Sequence, residues 1–314
     1  MNSYIETTAR EDFNRARFRE MFSRILNALT PENQQLLSLR EVRDVIRPRS
    51  ETYKGMQTVS IDRIAGSEGR YRDFNKGFLP KREASRGRWT SIDKAHLQFV
   101  TLPPIRLYEI GGIYFVRDGN HRVSVARSQG VLAIDAEVTS LGTEIQLDPR
   151  MSRADLKRAV IDYEKRKFYQ RTRFDKLFPD YDLVFTEPGR YDEVYHHIEG
   201  HKYYLNQSFI GELSFEDAMV SWYNNVFGPI ADLIEAENIM ARFPGRTAAD
   251  LYMWIVKHWD ELKQKYGPDF PVQEAARDYA SRFGKDFKTR LTEGLGNVIR
   301  RLRRRSLDDT DPNR

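Results

Sequence analysis

An α/β (α+β) core domain, with helices before it and a mainly α-helical half after it, is the fold class this sequence predicts. Three observations carry that expectation. Between residues 105 and 138, short apolar runs alternate with tight turns and one helical segment. Beyond residue 150, apolar residues recur at helical spacing behind repeated Ser and Thr N-cap signals. Before residue 50, two helical patterns run up to Arg47-Pro48, where a helix must stop. The 314 residues leave room for one large or two ordinary domains. The expected division is an N-terminal helical arm over 1–50, a core domain over 51–150, a helical domain over 151–306 and a disordered polar tail over 307–314.

Taken in order, Thr8-Ala9-Arg10-Glu11 reads as a capping box opening a helix to about Leu29, with Phe18, Phe22, Ile25 and Leu29 on its buried stripe and Phe13 and Met21 widening it. Thr30-Pro31 starts a second helix over 31–46 that buries Leu36, Leu39, Val42 and Ile46. Residues 57–61 alternate as a strand, and 62–69 are turn-rich. Residues 74–88 are polar and punctuated by Gly and Pro, and predict a mobile basic loop or substrate cover. A short helix over 90–99 puts Ile92, Ala95, His96 and Phe99 on one stripe, which makes His96 a packed core histidine. Gly111-Gly112 is a hairpin signal between the apolar runs 105–110 and 113–116. A helix with Val123, Ala126 and Arg127 on one face then runs to Gly130, and a last strand spans 134–138. Farther on, Ser152-Arg153-Ala154-Asp155 caps a long basic helix over 152–170. A short strand is expected over 181–185, and helices over 191–204, 215–225, 229–239, 248–266, 272–282 and 286–305. Ser214 and Thr247 are the clearest caps, each with Asp three residues on.

Composition narrows the functional classes. Mean hydropathy is −0.66 and 31% of residues are charged, which predicts a well-solvated protein. No apolar run approaches the roughly 20 residues of a membrane span, and the N-terminus has no apolar signal region. Cysteine is absent, so disulfides and thiolate metal sites are excluded, in keeping with a cytoplasmic location. The net charge of +5 leans towards polyanionic partners. The basic residues concentrate in 63–88 and in the run Arg300, Arg301, Arg303, Arg304 and Arg305, and either could touch DNA or RNA phosphates.

The richest local chemistry is Asp118-Gly119-Asn120-His121-Arg122. A strand runs into a small polar loop that opens a helix. Free first-turn N–H groups and the positive end of the helix dipole make such a junction an anion site. Gly119 supplies positive φ, and Arg122 is the side chain best shaped to pair two phosphate oxygens. The competing reading is a helix cap with one surface Arg and one half-buried His.

This DGNHR loop resembles the signature loop of the ParB/sulfiredoxin-like superfamily, whose members include nucleotidases, sulfiredoxin and a free-serine kinase. The resemblance extends over residues 57–140, with VSIDRIAGSEGRYRDF at 59–74 similar to the opening strand and turn, and PPIRLYEI at 103–110 similar to the central strand. It implies that Gly119, Asn120, His121 and Arg122 hold the phosphates of CTP, ATP or ADP, with Mg²⁺ bridging their oxygens. It also implies that the loop around Glu68 and Arg70 folds over this site; the competing reading of that loop is an ordinary Gly-rich surface turn. Glu68 would then be a general base or metal ligand, Arg70 a second phosphate clamp, and Asp118 would position the metal or deprotonate a nucleophile. Sulfinic-acid repair is excluded, because Asn120 stands where that chemistry needs a thiol. The segment FPGRTAADLYMWI at 243–255 resembles part of an uncharacterised helical domain that accompanies ParB-like domains in some bacteria, a likeness that implies no activity.

The expectation is a nucleotide-binding protein that hydrolyses NTP or transfers phosphoryl groups to a small molecule, with Arg122→Ala removing binding and sparing the fold. The alternative is a DNA-associated module without turnover. Against it, the loop reads GNHR rather than the GERR-type motif usual in ParB proteins, and 152–170 runs on without the turn of a recognition pair. A third reading is a scaffold whose helical half is an interaction surface, with self-association left open. Glu193, His197 and His201 share one helix face at metal-ligand spacing, but core or solvated histidines fit the neighbouring apolar residues better. Trp222, Tyr223, Trp254 and Trp259 read as packing.

Overall fold

Six strands hydrogen-bond in the order β1-β3-β5-β4-β6-β2 in the computed structural model, which describes residues 2–26, 35–207 and 211–284. They are β1 (Leu37–Ser38), β2 (Glu51–Ser60), β3 (Ile64–Ser67), β4 (Ile105–Ile110), β5 (Ile113–Asp118) and β6 (Ala133–Leu141). The sheet is mixed: β1 with β3, β3 with β5 and β4 with β6 are parallel, whereas β4 with β5 and β2 with β6 are antiparallel. The chain divides into two units, Met1–Tyr163 and Glu164–Arg314, and the sheet belongs to the first.

Both faces of the sheet are covered. On one lie α2 (Leu39–Ile46) and the start of α5 (Arg153–Thr172), whose Val42, Ile46, Leu156 and Val160 pack with Phe115, Ile110 and Tyr108. On the other lie Val123 of α4 (Asn120–Ser128) and the loop residues Phe74 and Phe78, against Ile105, Leu107 and Val116. A further layer, α1 (Asn2–Leu26) and α3 (Arg86–Leu97), closes over α4 through Phe13, Ala16, Trp89 and Val125. The central strands β4 and β5 are therefore apolar on both faces, as strands covered twice must be.

Local signals hold. Gly111 and Gly112 both take positive φ (59° and 86°) between paired Ile110 and Ile113, as a two-residue hairpin of primed type requires. Helix α4 ends in a Schellman motif. Val131 N donates to Ala126 O, Gly130 N donates to Arg127 O, and Gly130 has φ 73°.

Several expectations give way to tertiary context. Residues 64–67 form the buried strand β3 rather than a turn. Gly66 marks a close approach, since a Cβ there would lie 2.3 Å from Leu37 O of β1 and 2.6 Å from the Phe115 ring. The second helix starts at Leu39, because Leu37 and Ser38 pair with β3; residues 31–34 lie outside the described residues. Thr8 is inside α1 and bonds Tyr4 O, so it is no cap. The buried stripe of α1 is Ala9, Phe13, Ala16 and Glu20, while Phe18 (63% exposed), Phe22 and Ile25 face outwards. Small Ala9 and Ala16 are the residues that let α1 approach closely, with Phe13 edge-on to Trp89 at 5.6 Å. The strand expected over 57–61 is ten residues long and starts at Glu51. The segment 74–88 is no loose cover. Phe74, Asn75 and Phe78 are buried, and Asn75 Oδ1 accepts from Gly77 N and Leu79 N. Helix α3 buries Trp89, Thr90 and Asp93, leaving His96 and Phe99 exposed.

The second unit is helical: the rest of α5, α6 (Phe174–Leu177), α7 (Arg190–Asn206), α8 (Phe215–Trp222), α9 (Gly228–Ala236), α10 (Ala248–Tyr266) and α11 (Val272–Phe283). A π-helical turn, Tyr223–Phe227, joins α8 to α9 without a break. Caps fall where expected, at Ser214 on Asp217 N and in a full capping box between Thr247 and Asp250. Residues 181–185 form no strand. Tyr181 N donates to Phe178 O, and the other backbone bonds go to side chains: Leu183 N to Tyr169 OH, Leu183 O from Tyr191 OH and Val184 O from Thr247 Oγ1. Trp222 is fully packed, and Trp254 stacks near Phe243 and Tyr279. The helix expected over 286–305, with its arginine run, and the tail over 307–314 lie outside the described residues.

Candidate functional site

Strands β3 and β5 are parallel neighbours, paired Ser67 to Val116, so their C-terminal ends open on one edge of the sheet. In open α/β sheets this edge is where ligands bind. Glu68 N and Ser67 Oγ both donate to Val116 O (2.9 and 3.1 Å), and Ser67 Oγ accepts from Arg70 N (3.3 Å). These bonds fix the start of the 68–70 loop beside the DGNHR loop. The structure thus brings Glu68 and Arg70 to the same edge as Asp118, Gly119, Asn120, His121 and Arg122.

The DGNHR loop is tight. Asp118 ends β5, Gly119 turns the chain at φ 107° and ψ 22°, and Val123 N donates to Gly119 O (3.0 Å) to close the first helical turn. A side chain on Gly119 would put its Cβ 2.4 Å from Ile105 Cγ2. Among the described residues no side chain caps α4, which leaves its first-turn N–H groups to another acceptor.

Within the loop the side chains divide into two groups. Arg122 and Asp118 are bound to each other: Nη2 donates to Asp118 Oδ2 at 2.5 Å, while Nη1 donates to Pro104 O at 3.0 Å and to Pro103 O. Arg122 therefore braces the entry to β4 against the loop, and its guanidinium is largely occupied. Asn120 and His121 are buried (7% and 6% exposed), and Asn120 Oδ1 and His121 Nδ1 have no hydrogen-bond partner among the described residues. The His121 ring meets Phe74 edge-on at 5.2 Å. Burial lowers the His121 pKa to about 4, helped by the guanidiniums of Arg70 and Arg88 and opposed by Asp73. The imidazole is neutral at pH 7.

Two arginines, Arg70 and Arg88, are close enough to His121 for their charge to disfavour its protonation. Arg70 is half-exposed, with a loose 3.8 Å contact to Asp73 that Arg82 shares at 3.6 Å. Arg88 is exposed and carries no ion pair among the described residues. Its position is set by its neighbour Trp89, whose Nε1 donates to buried Ser124 Oγ of α4 at 2.9 Å. Sequence reasoning places Arg88 only within a basic run. Its closeness to His121 depends on α3 packing on α4, which no local signal carries. Glu68 is exposed and has no ion pair among the described residues.

Beyond this edge, His197 Nδ1 bonds Tyr252 OH (3.2 Å) and His201 Nε2 bonds Ser221 Oγ (3.0 Å). No group of three His, Cys, Asp or Glu among the described residues is arranged to hold a metal. No helix among them is long and apolar enough to cross a membrane. No family model, curated protein or solved structure matches the chain.

Proposed function

We propose that the shared edge of β3 and β5 binds the phosphates of a nucleotide, and that the first unit is a ParB/sulfiredoxin-like core. The observation that carries this reading is the uncapped N-terminus of α4, delivered by Gly119 to the C-terminal ends of two parallel strands, with Arg70 and Arg88 near enough to oppose protonation of His121. Free N–H groups, a helix dipole and two guanidiniums converge there on one anion. The neutral His121 adds no charge, and its unpaired Nδ1, with Asn120 Oδ1, leaves buried polar capacity that a bound group or water would satisfy.

Glu68 and Asp118 are the residues that would hold a Mg²⁺ here, an ion that needs only one or two protein oxygens beside those of a nucleotide. When bound, that ion would supply positive charge to the phosphates. Of the two, Asp118 is held by Arg122, so the role of base, towards water or a small-molecule hydroxyl, falls to Glu68. Arg122 acts by shaping the loop.

Calorimetric titration with CTP, ATP and ADP in the presence of Mg²⁺ tests the reading. One of them binds, and Arg70→Ala and Arg88→Ala each weaken it about tenfold, the worth of one charged contact, with melting temperature unchanged. Failure of all three to bind would overturn it.

A further inference from the structure

The second unit contains a cleft of about 500 Å³ between α7 and α10, within the range of small-molecule sites. Arg190, Glu193 and His197 line it from one face of α7, and Met253, Trp254, Val256, Lys257 and Asp260 from one face of α10. Their hydrogen bonds determine what the cleft can hold. Trp222 Nε1 has only a proton to give, and donates it to Tyr252 OH at 2.9 Å. Tyr252 is buried at 1% exposure, so its own hydroxyl proton goes to its remaining neighbour, His197 Nδ1, at 3.2 Å. The His197 proton is therefore on Nε2. That N–H has no partner among the described residues, and burial favours the neutral imidazole against the opposing charges of Glu193 and Asp260.

The charges around it are mostly spent. Arg190 pairs with Glu193 at 2.5 Å and Asp260 with Lys263 at 2.6 Å. Lys257 is the lining cation without an ion pair among the described residues. Met253, Trp254 and Val256 supply an apolar wall. One oriented N–H donor, one unpaired ammonium and an apolar wall match a single negative charge on a compact apolar body.

We propose that this cleft binds a small organic carboxylate, its oxygens on His197 Nε2–H and Lys257 Nζ and its body against Met253 and Trp254. The site is separate from the phosphate edge and stands or falls independently of it.

Titration of the full chain with benzoate, followed by ¹H–¹⁵N correlations of the histidine side chains, tests the proposal, with benzylamine and inorganic phosphate as comparison probes. The His197 Nε2 resonance shifts saturably with benzoate, and much less with either comparison probe. Lys257→Met, a change at an exposed position, weakens benzoate about tenfold, as losing one charged partner should. His197→Phe, which keeps the ring and removes the donor, does the same. No saturable shift with benzoate, an equal response to benzylamine, or unchanged affinity in Lys257→Met would overturn the proposal, and the last comparison decides even if His197→Phe does not fold.

Discussion

Gly119→Ala probes the turn on which the phosphate edge depends. At φ 107° and ψ 22° the residue lies outside the left-handed well open to L-residues, near φ of about 60°. Holding alanine there costs about 1–3 kcal/mol. The new Cβ would also sit 2.4 Å from Ile105 Cγ2 and 2.9 Å from Ile105 Cβ. Ile105 is fully buried in β4 and cannot swing away, so overpacking adds about 1–3 kcal/mol. The total is about 2–6 kcal/mol. Gly130→Ala is the control: its φ is also positive, at 73°, but nothing lies within 4 Å of its Cβ, so it should cost only about 1 kcal/mol. Urea unfolding read from the ¹⁹F resonance of 5-fluorotryptophan at Trp89, the first unit's single tryptophan, measures both. An equal or smaller loss in Gly119→Ala would refute the steric argument.

Three further outcomes follow from the same geometry. Ser124→Ala strands the buried Trp89 N–H and costs about 1–3 kcal/mol in the same assay, weakening nucleotide affinity through Arg88. Arg122→Ala frees Asp118 and the Pro103 and Pro104 carbonyls, lowering stability by about 2 kcal/mol as well as binding, whereas Arg70→Ala lowers binding alone. The pH dependence of stability carries two opposed signatures. Burial raises Asp93, beside Asp12 and bonded to Gln129, to about 6, while His121 is lowered to about 4. Between pH 4 and 6 the unfolded chain has His121 protonated and Asp93 ionised, and the folded chain has the reverse. The His121 contribution therefore rises with pH as the Asp93 contribution falls, and the two slopes cancel. Asp93→Asn removes the falling one, so its stability relative to the parent climbs by about 3 kcal/mol from pH 4 to 6 in urea titrations.

What could be read from the sequence was local. The Gly111-Gly112 hairpin, the strand–loop–helix at Asp118-Gly119-Asn120 and the caps at Ser214 and Thr247 are each specified within a few residues. What escaped was set by partners far along the chain. Gly66 looks like a turn residue until β1 and β5 are seen to crowd it from both sides. Phe18 and Phe22 of α1 point away from the core, because α1 packs through Phe13 and Ala16 against Trp89 of α3. Residues 181–185 have the alternation of a strand, yet side chains from α5, α7 and the N-cap of α10 take hydrogen bonds a neighbour strand would have made. At the site, the five loop residues were legible as a cluster. The occupation of Arg122 by Asp118 and two proline carbonyls, and the recruitment of Arg88 by way of Trp89 and Ser124, were not.

The central claim is that phosphate sits on the open N-terminus of α4, and the backbone amide resonances of residues 119–122 report on it directly. Titrating ¹⁵N-labelled protein with pyrophosphate, then with Mg²⁺ and each nucleotide, should move the amides of Asn120, His121 and Arg122 saturably, together with the Arg88 side-chain Nε–H. If those amides stay fixed while any of these ligands binds elsewhere, or if none binds at all, α4 is not the phosphate site.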